Sequence, residues 1–135
     1  MASRTAQYAL RIVVRLGSAA GAPQTAESLS SATAVPLPYL SKVMQQLCRS
    51  GIATSQRGLH GGYSLSRHAL DLSVYDVVAA VDGPPPRSEC PLDRGAEPSQ
   101  QCPLCKRLIA VDAAAQEQLR TISIAELLDA DASPA

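Results

Sequence analysis

Between about Thr5 and Ala19, apolar residues recur at helical spacing as Tyr8, Ala9, Ile12, Val13 and Leu16. Arg4, Gln7, Arg11 and Arg15 fall on the opposite side, so the pattern predicts an amphipathic helix with a basic outer face. Gly17 and the run Gly21-Ala22-Pro23 end it. Thr25 is a good N-cap, with Glu27 in the first turn of a short helix to about Ala32. A tight turn at Thr33-Ala34-Val35 leads to Pro36 and Pro38, which are tolerated at the opening of a third helix. That helix has Leu40, Val43, Met44 and Leu47 on its inner face, and Gly51 as its stop.

Past Gly51 the period changes. Residues 52–57 read as a strand, Gly58-Leu59-His60-Gly61-Gly62 as a flexible turn and residues 63–67 as the returning strand. Ser73 and Asp76 form a capping-box pattern for a helix to about Val81. Residues 83–101 are rich in Pro and polar residues, a length of loop that is usually functional or disordered. A long helix is predicted from about Pro103 to Arg120, with an apolar stripe of Leu104, Leu108, Val111, Ala115 and Leu119. Ala113-Ala114-Ala115 keeps it slim enough for another helix to pack closely. Ser123 and Glu126 cap a short last helix, and fraying is expected after Asp129.

The predicted fold is mainly α with a small β-hairpin. Two helices joined by a short turn and followed by a hairpin match the winged helix-turn-helix plan. Three units are expected: a winged helix-turn-helix over residues 1–82, a cysteine-bearing loop over 83–101, and a long helix plus C-terminal helix over 102–135.

Charge sharpens this division. The 135 residues have no net charge, yet residues 1–67 hold seven Lys or Arg against Glu27 alone, a net of +6. Residues 68–135 hold five against eleven acids, a net of −6. The first half suits a polyanion and the second does not. With four Tyr and neither Phe nor Trp, the core must be aliphatic, which argues against a large aromatic-lined pocket. No run approaches the roughly 18 apolar residues of a membrane helix. Arginines interrupt the N-terminal segment, so no signal-peptide core is visible and a cytoplasmic location is expected.

The outer face of the third helix offers Tyr39, Ser41, Lys42 and Gln45. Polar side chains at such a helix start can reach base edges in a major groove. Lys42 suits guanine or phosphate, Gln45 suits adenine, and Tyr39 suits packing or a phosphate. Arg57 and His60 flank the turn, whose Gly61 and Gly62 permit close backbone approach to a neighbour such as a phosphate. The competing reading is a solvated helix face beside an ordinary hairpin.

Four cysteines add chemistry. In a reducing compartment, clustered cysteines point to metal or redox work rather than structural disulfides. Cys102 and Cys105 are three apart at a predicted helix start, which places them on one face where the helix dipole favours thiolate. Eleven residues separate Cys90 from Cys102, so a loop can bring it in. The three suit an iron–sulfur cluster, a zinc site or a thiol–disulfide switch. Cys48, late in the third helix, reads as a packing thiol. No nucleophile–base set or nucleotide-binding glycine loop is visible, and an enzyme is not expected.

Tyr8-Ala9-Leu10, Pro38-Tyr39-Leu40-Ser41-Lys42-Val43, the turn Arg57-Gly58-Leu59-His60-Gly61-Gly62-Tyr63 and the cysteine loop occur in one order. In that order the chain resembles the Rrf-two family of bacterial winged-helix transcription regulators, which includes the IscR-like and NsrR-like iron–sulfur sensors. The resemblance implies a homodimer on a palindromic double-stranded DNA operator, with the long helix as the dimerisation helix and repression as the default. It also implies an iron–sulfur cluster, 2Fe–2S or 4Fe–4S, on Cys90, Cys102 and Cys105. The sequence departs from the family in several places. The usual wing reads Arg-Gly-Pro-Gly-Gly-Gly-Tyr, whereas Leu59 and His60 stand here for Pro and Gly. Cys90 and Cys102 match the outer two family cysteines, and the middle one has no counterpart near Gly95 and Ala96. Cys105 falls where IscR-like members place a His. Gln7 occupies the first-helix position that carries an acidic ligand in some relatives, which leaves a fourth ligand unassigned. The alternative is a cluster-free member controlled by a thiol switch, zinc or a partner protein.

Overall fold

Ser3 opens the first helix by accepting the Ala6 amide on its hydroxyl, 3.0 Å away. Helix α1 then spans Arg4–Ser18 and buries Ala6, Ala9, Ile12, Val13 and Leu16, while Arg4, Gln7, Arg11 and Arg15 stay exposed. The structure is a computed structural model and describes residues 3–19, 21–83, 90–92 and 102–132, with side chains as far as 129.

Helix α2 (Ala26–Thr33) is capped by the Thr25 hydroxyl, and α3 (Leu37–Arg49) starts behind Pro36. Between them Ala34 takes a left-handed conformation, with φ of 58°. That conformation costs an L-residue about 1–2 kcal/mol. Burial of the neighbouring Val35, whose carbonyl accepts from the Ser30 hydroxyl at 2.6 Å, holds the turn in place. Gly51, at φ of 82°, turns the chain out of α3, and the Ile52 amide bonds back to the Leu47 carbonyl at 3.0 Å.

Strands β1 (Ala53–Gln56) and β2 (Gly62–Leu65) pair antiparallel, Ala53 opposite Leu65 and Gln56 opposite Gly62. They are shorter than the predicted strands, which leaves Arg57 and Arg67 outside the ladder. A 3-10 turn at Ala69–Asp71, absent from the sequence reading, is capped by His68 Nδ1 accepting the Leu70 amide at 3.2 Å. Helix α4 (Val74–Asp82) has the full capping box of Ser73 and Asp76. Most of 83–101, and with it most of the expected loop unit, lies outside the described residues.

Helix α5 spans Pro103–Thr121 and α6 spans Ile124–Ala132. Ser123 and Glu126 cap α6 reciprocally, and Ile124 is fully buried. Helix α6 thus continues to Ala132, past the expected fraying point at Asp129, because its start is anchored in the core. The Ile124 amide bonds to Leu72 at 2.7 Å and the Val74 amide to Ile122 at 3.0 Å. These two bonds tie the capped starts of α4 and α6 together.

One aliphatic core gathers residues of α1, α2, α3, β1, α4 and Ile124 of α6. Burying each Leu or Ile there stabilises the fold by about 1.5–3 kcal/mol. Helix α5 reaches this core only near its end, through Leu119 and the following Ile122. The Arg120 guanidinium also lies over the Tyr75 ring at 4.4 Å.

Candidate nucleic-acid interface and thiolate centre

Burial of Leu40, Val43, Met44 and Leu47 orients α3, and the helical period then turns Tyr39, Ser41, Lys42 and Gln45 to solvent. Tyr39 is 55% exposed and its ring packs against Tyr8 of α1, centroid to centroid 6.0 Å. The Arg11 guanidinium stands 5.8 Å from the Tyr8 ring centre. This Arg11–Tyr8–Tyr39 chain links the outer face of α1 to the start of α3. The sequence suited Tyr39 to packing, but the period set Tyr8 and Arg11 on opposite sides of α1 and did not pair the two rings.

Arg57 and His60 are exposed on the hairpin turn. The glycines beside them are required by the chain's own backbone. A Cβ on Gly61 would lie 2.3 Å from the Gln56 carbonyl oxygen, and one on Gly62 would lie 2.6 Å from that of Gln24. Gln24 and Tyr63 exchange two backbone hydrogen bonds, of 2.9 and 2.7 Å, which fasten β2 to the segment ahead of α2. The close approach expected at these glycines is therefore made to Gln56 and Gln24.

Cys90, Cys102 and Cys105 form a second, separate buried cluster. Their sulfurs all lie within 4.8 Å of one another, and Cys90 and Cys102 approach to 4.0 Å. Cys102 is the N-cap of α5 and Cys105 sits one turn in, so both occupy the positive end of a 19-residue helix. Thiolates bound to one tetrahedral ion at about 2.3 Å stand roughly 4 Å apart, and the triad fits such a donor set. Cys48 is elsewhere, half-buried against the main core, and burial pushes its thiol up from the ordinary range.

A surface groove runs between α1, the end of α2 and α6. Leu10, Arg11, Val14, Arg15 and Leu127 are among its lining residues, and it contains no aromatic ring. Among the described residues no helix is long and apolar enough to cross a membrane.

A family model described as Rrf2, iron-dependent transcriptional regulator, matches residues 2–130. The chain is 35% identical over 83 residues to a putative HTH-type transcriptional regulator of Mycobacterium tuberculosis, covering 61% of this chain and 52% of that one. Indeed, the chain spans about half the length of several curated relatives it matches, IscR of Escherichia coli among them. The structure of IscR from T. potens superposes with a TM-score of 0.79 at 22% identity, covering 100% of this chain and 92% of that one. CymR, the global cysteine regulator of B. subtilis, gives 0.79 at 24% identity, covering 96% of each. These two likenesses establish the winged-helix fold.

Proposed function

The chain belongs to the Rrf2 family of transcriptional regulators, and from that premise we propose that it is a DNA-binding regulator governed by a centre on Cys90, Cys102 and Cys105. The observation that carries this reading is the convergence of three buried sulfurs within 4.8 Å in a chain of this family. An iron–sulfur cluster is the group we assign to the triad, since such clusters are held by cysteine thiolates. When bound, it supplies reactivity towards oxidants, nitric oxide or changing iron supply. The three cysteines provide three ligands, and a fourth comes from outside the triad.

The chain's own residues do the rest. Tyr39, Ser41, Lys42 and Gln45 face the major groove, Lys42 on guanine or phosphate and Gln45 on adenine. Arg57 and His60 approach the backbone or minor groove from the wing, with Gly61 and Gly62 shaping the turn. Helix α5 leaves Leu104, Leu108, Ile109 and Val111 between 37% and 63% exposed, and a second copy of the chain covers them in a homodimer. Two recognition helices then meet half-sites about one DNA turn apart in a palindromic operator. A group held by all three cysteines would tie Cys90 to the start of α5, the helix that spaces the two recognition helices. Residues 1–82 are the DNA-binding unit, 83–101 the sensor loop and 102–135 the dimer unit, and the protein works as a cytoplasmic repressor.

A second reading rests on the thiol count, because three thiolates complete a zinc site only with a fourth donor and two suffice for a disulfide. In that switch Cys102 and Cys105 would pair with Cys90 resolving, and the 4.0 Å approach of Cys90 to Cys102 suits the resolving step. Anaerobic purification with a visible spectrum and iron and sulfide assays separates the two. Brown protein containing both elements is expected. Colourless protein after anaerobic reconstitution, with zinc or nothing bound, would transfer control to zinc, thiol or partner chemistry.

A further inference from the structure

Leu59 is 95% exposed, more than any other large apolar side chain among the described residues. Single exposed leucines are common on proteins and by themselves need no explanation. This one differs in where it stands. The last ladder pair is Gln56 opposite Gly62, so Leu59 is the middle residue of the five-residue turn 57–61. Turn chemistry favours Gly, Asn, Asp, Ser or Pro at such an apex, and a leucine there gains nothing from folding.

The turn beneath it is held by backbone contacts. The Gly61 amide closes the turn on the Gly58 carbonyl at 3.0 Å, the Gln56 carbonyl crowds Gly61 from below, and Gln24 clamps Tyr63 from the side. The turn also lies in a stretch of chain free of acidic residues. Arg57 and His60 flank Leu59, and no Asp or Glu occurs anywhere from residue 28 to residue 70. An apolar tip with an arginine and a histidine beside it matches the chemistry of proteins that push a side chain between base steps from the minor groove, where basic side chains hold the walls. A protein partner is a poorer match, since one leucine falls far short of the roughly 1,000 Å² that a specific protein interface needs.

We infer that Leu59 is a wedge that enters the minor groove beside each half-site and partly unstacks one base step, which makes the wing a specificity element as well as an anchor. This rests on the DNA-binding reading above. Steps that open easily, such as TA and CA, would be preferred beneath the wing, adding selectivity outside the bases that α3 reads.

The test uses the full chain and a duplex that the wild type itself recovers from a randomised double-stranded library. The adenine analogue 2-aminopurine, placed in turn at each flanking step, brightens when that step is unstacked. Brightening at one step per half-site is expected with the wild type and with Leu59→Met. Leu59→Ala is expected to lose the brightening and about tenfold in affinity while keeping the salt dependence of binding, because the phosphate contacts are untouched. Leu59 is on the surface, so these variants fold. If Leu59→Ala binds and brightens like the wild type, or if no step brightens with the wild type, the wedge is wrong and DNA binding stands. If the wild type recovers no duplex, the DNA-binding reading fails and the wedge with it.

Discussion

Leu47 of α3 is fully buried, whereas Leu108 of α5 keeps 37% of its surface exposed. The two leucines stand for two regions built on different terms. The winged-helix region closes its own core, from Ala9 to Val77, and borrows Ile124 of α6 to complete it. The cysteine region has no such core. Its buried cluster is three thiols, and the helix that carries two of them presents apolar side chains to solvent along most of its length. The first region is finished by folding. The second is less closed: three buried thiols lie together, and Leu104, Leu108, Ile109 and Val111 of α5 stay partly exposed. Buried apolar area carries the stability of the first region, whereas donor chemistry distinguishes the second.

The largest expected effect contrasts the two leucines. Leu47→Ala should lower unfolding free energy by about 2–5 kcal/mol, read from the denaturant midpoint at constant slope. Leu108→Ala should leave the midpoint of the dilute chain within about 0.5 kcal/mol of the parent. Comparable losses at both sites would erase the contrast. Next comes assembly. Charging the α5 face with Leu108→Glu and Val111→Glu should convert a dimer into a monomer by sedimentation, with the helical circular dichroism preserved. A dimer that survives would place the interface elsewhere.

The third effect is confined to the cysteine region. Any one of Cys90→Ala, Cys102→Ala or Cys105→Ala should abolish stable metal retention while leaving the melt of the metal-free protein unchanged. If all three variants retain metal like the parent, the triad is not the site. The smallest expected effect is Ser73→Ala. It removes the capping box at α4 and costs about 1 kcal/mol, without altering metal content.

The same division decides what could be read from the sequence. Helices α1 to α5 agree with their predicted spans to within about two residues, because the 3.6-residue period is written in neighbouring side chains and Thr25 and Ser73 are local caps of α2 and α4. The two strands are shorter than their pattern suggests: at the turn end pairing stops at Gln56 and Gly62, and at the other end Arg67 turns to the Asp71 carbonyl and the Asp76 carboxylate. The Ala69–Asp71 turn carries no period and escaped notice. At the site, the Cys102/Cys105 pair is a matter of helical spacing. The arrival of Cys90 and the contact between Tyr8 and Tyr39 depend on how distant segments pack, which spacing does not encode. The stripe of α5 is visible as a pattern, but spacing does not tell that Leu119 packs on the core while Leu104, Leu108 and Val111 stay exposed.

The central claim joins the two regions, so the most direct measurement reads one while changing the other. Anaerobically prepared protein with its centre filled, and the same protein stripped by chelator under reducing conditions, would be titrated against the duplex recovered by selection. The account expects affinity to change by tenfold or more between the two forms, and the Cys102→Ala variant to behave as the stripped form throughout. Equal affinity in both forms would mean that the thiolate region does not govern the winged helix.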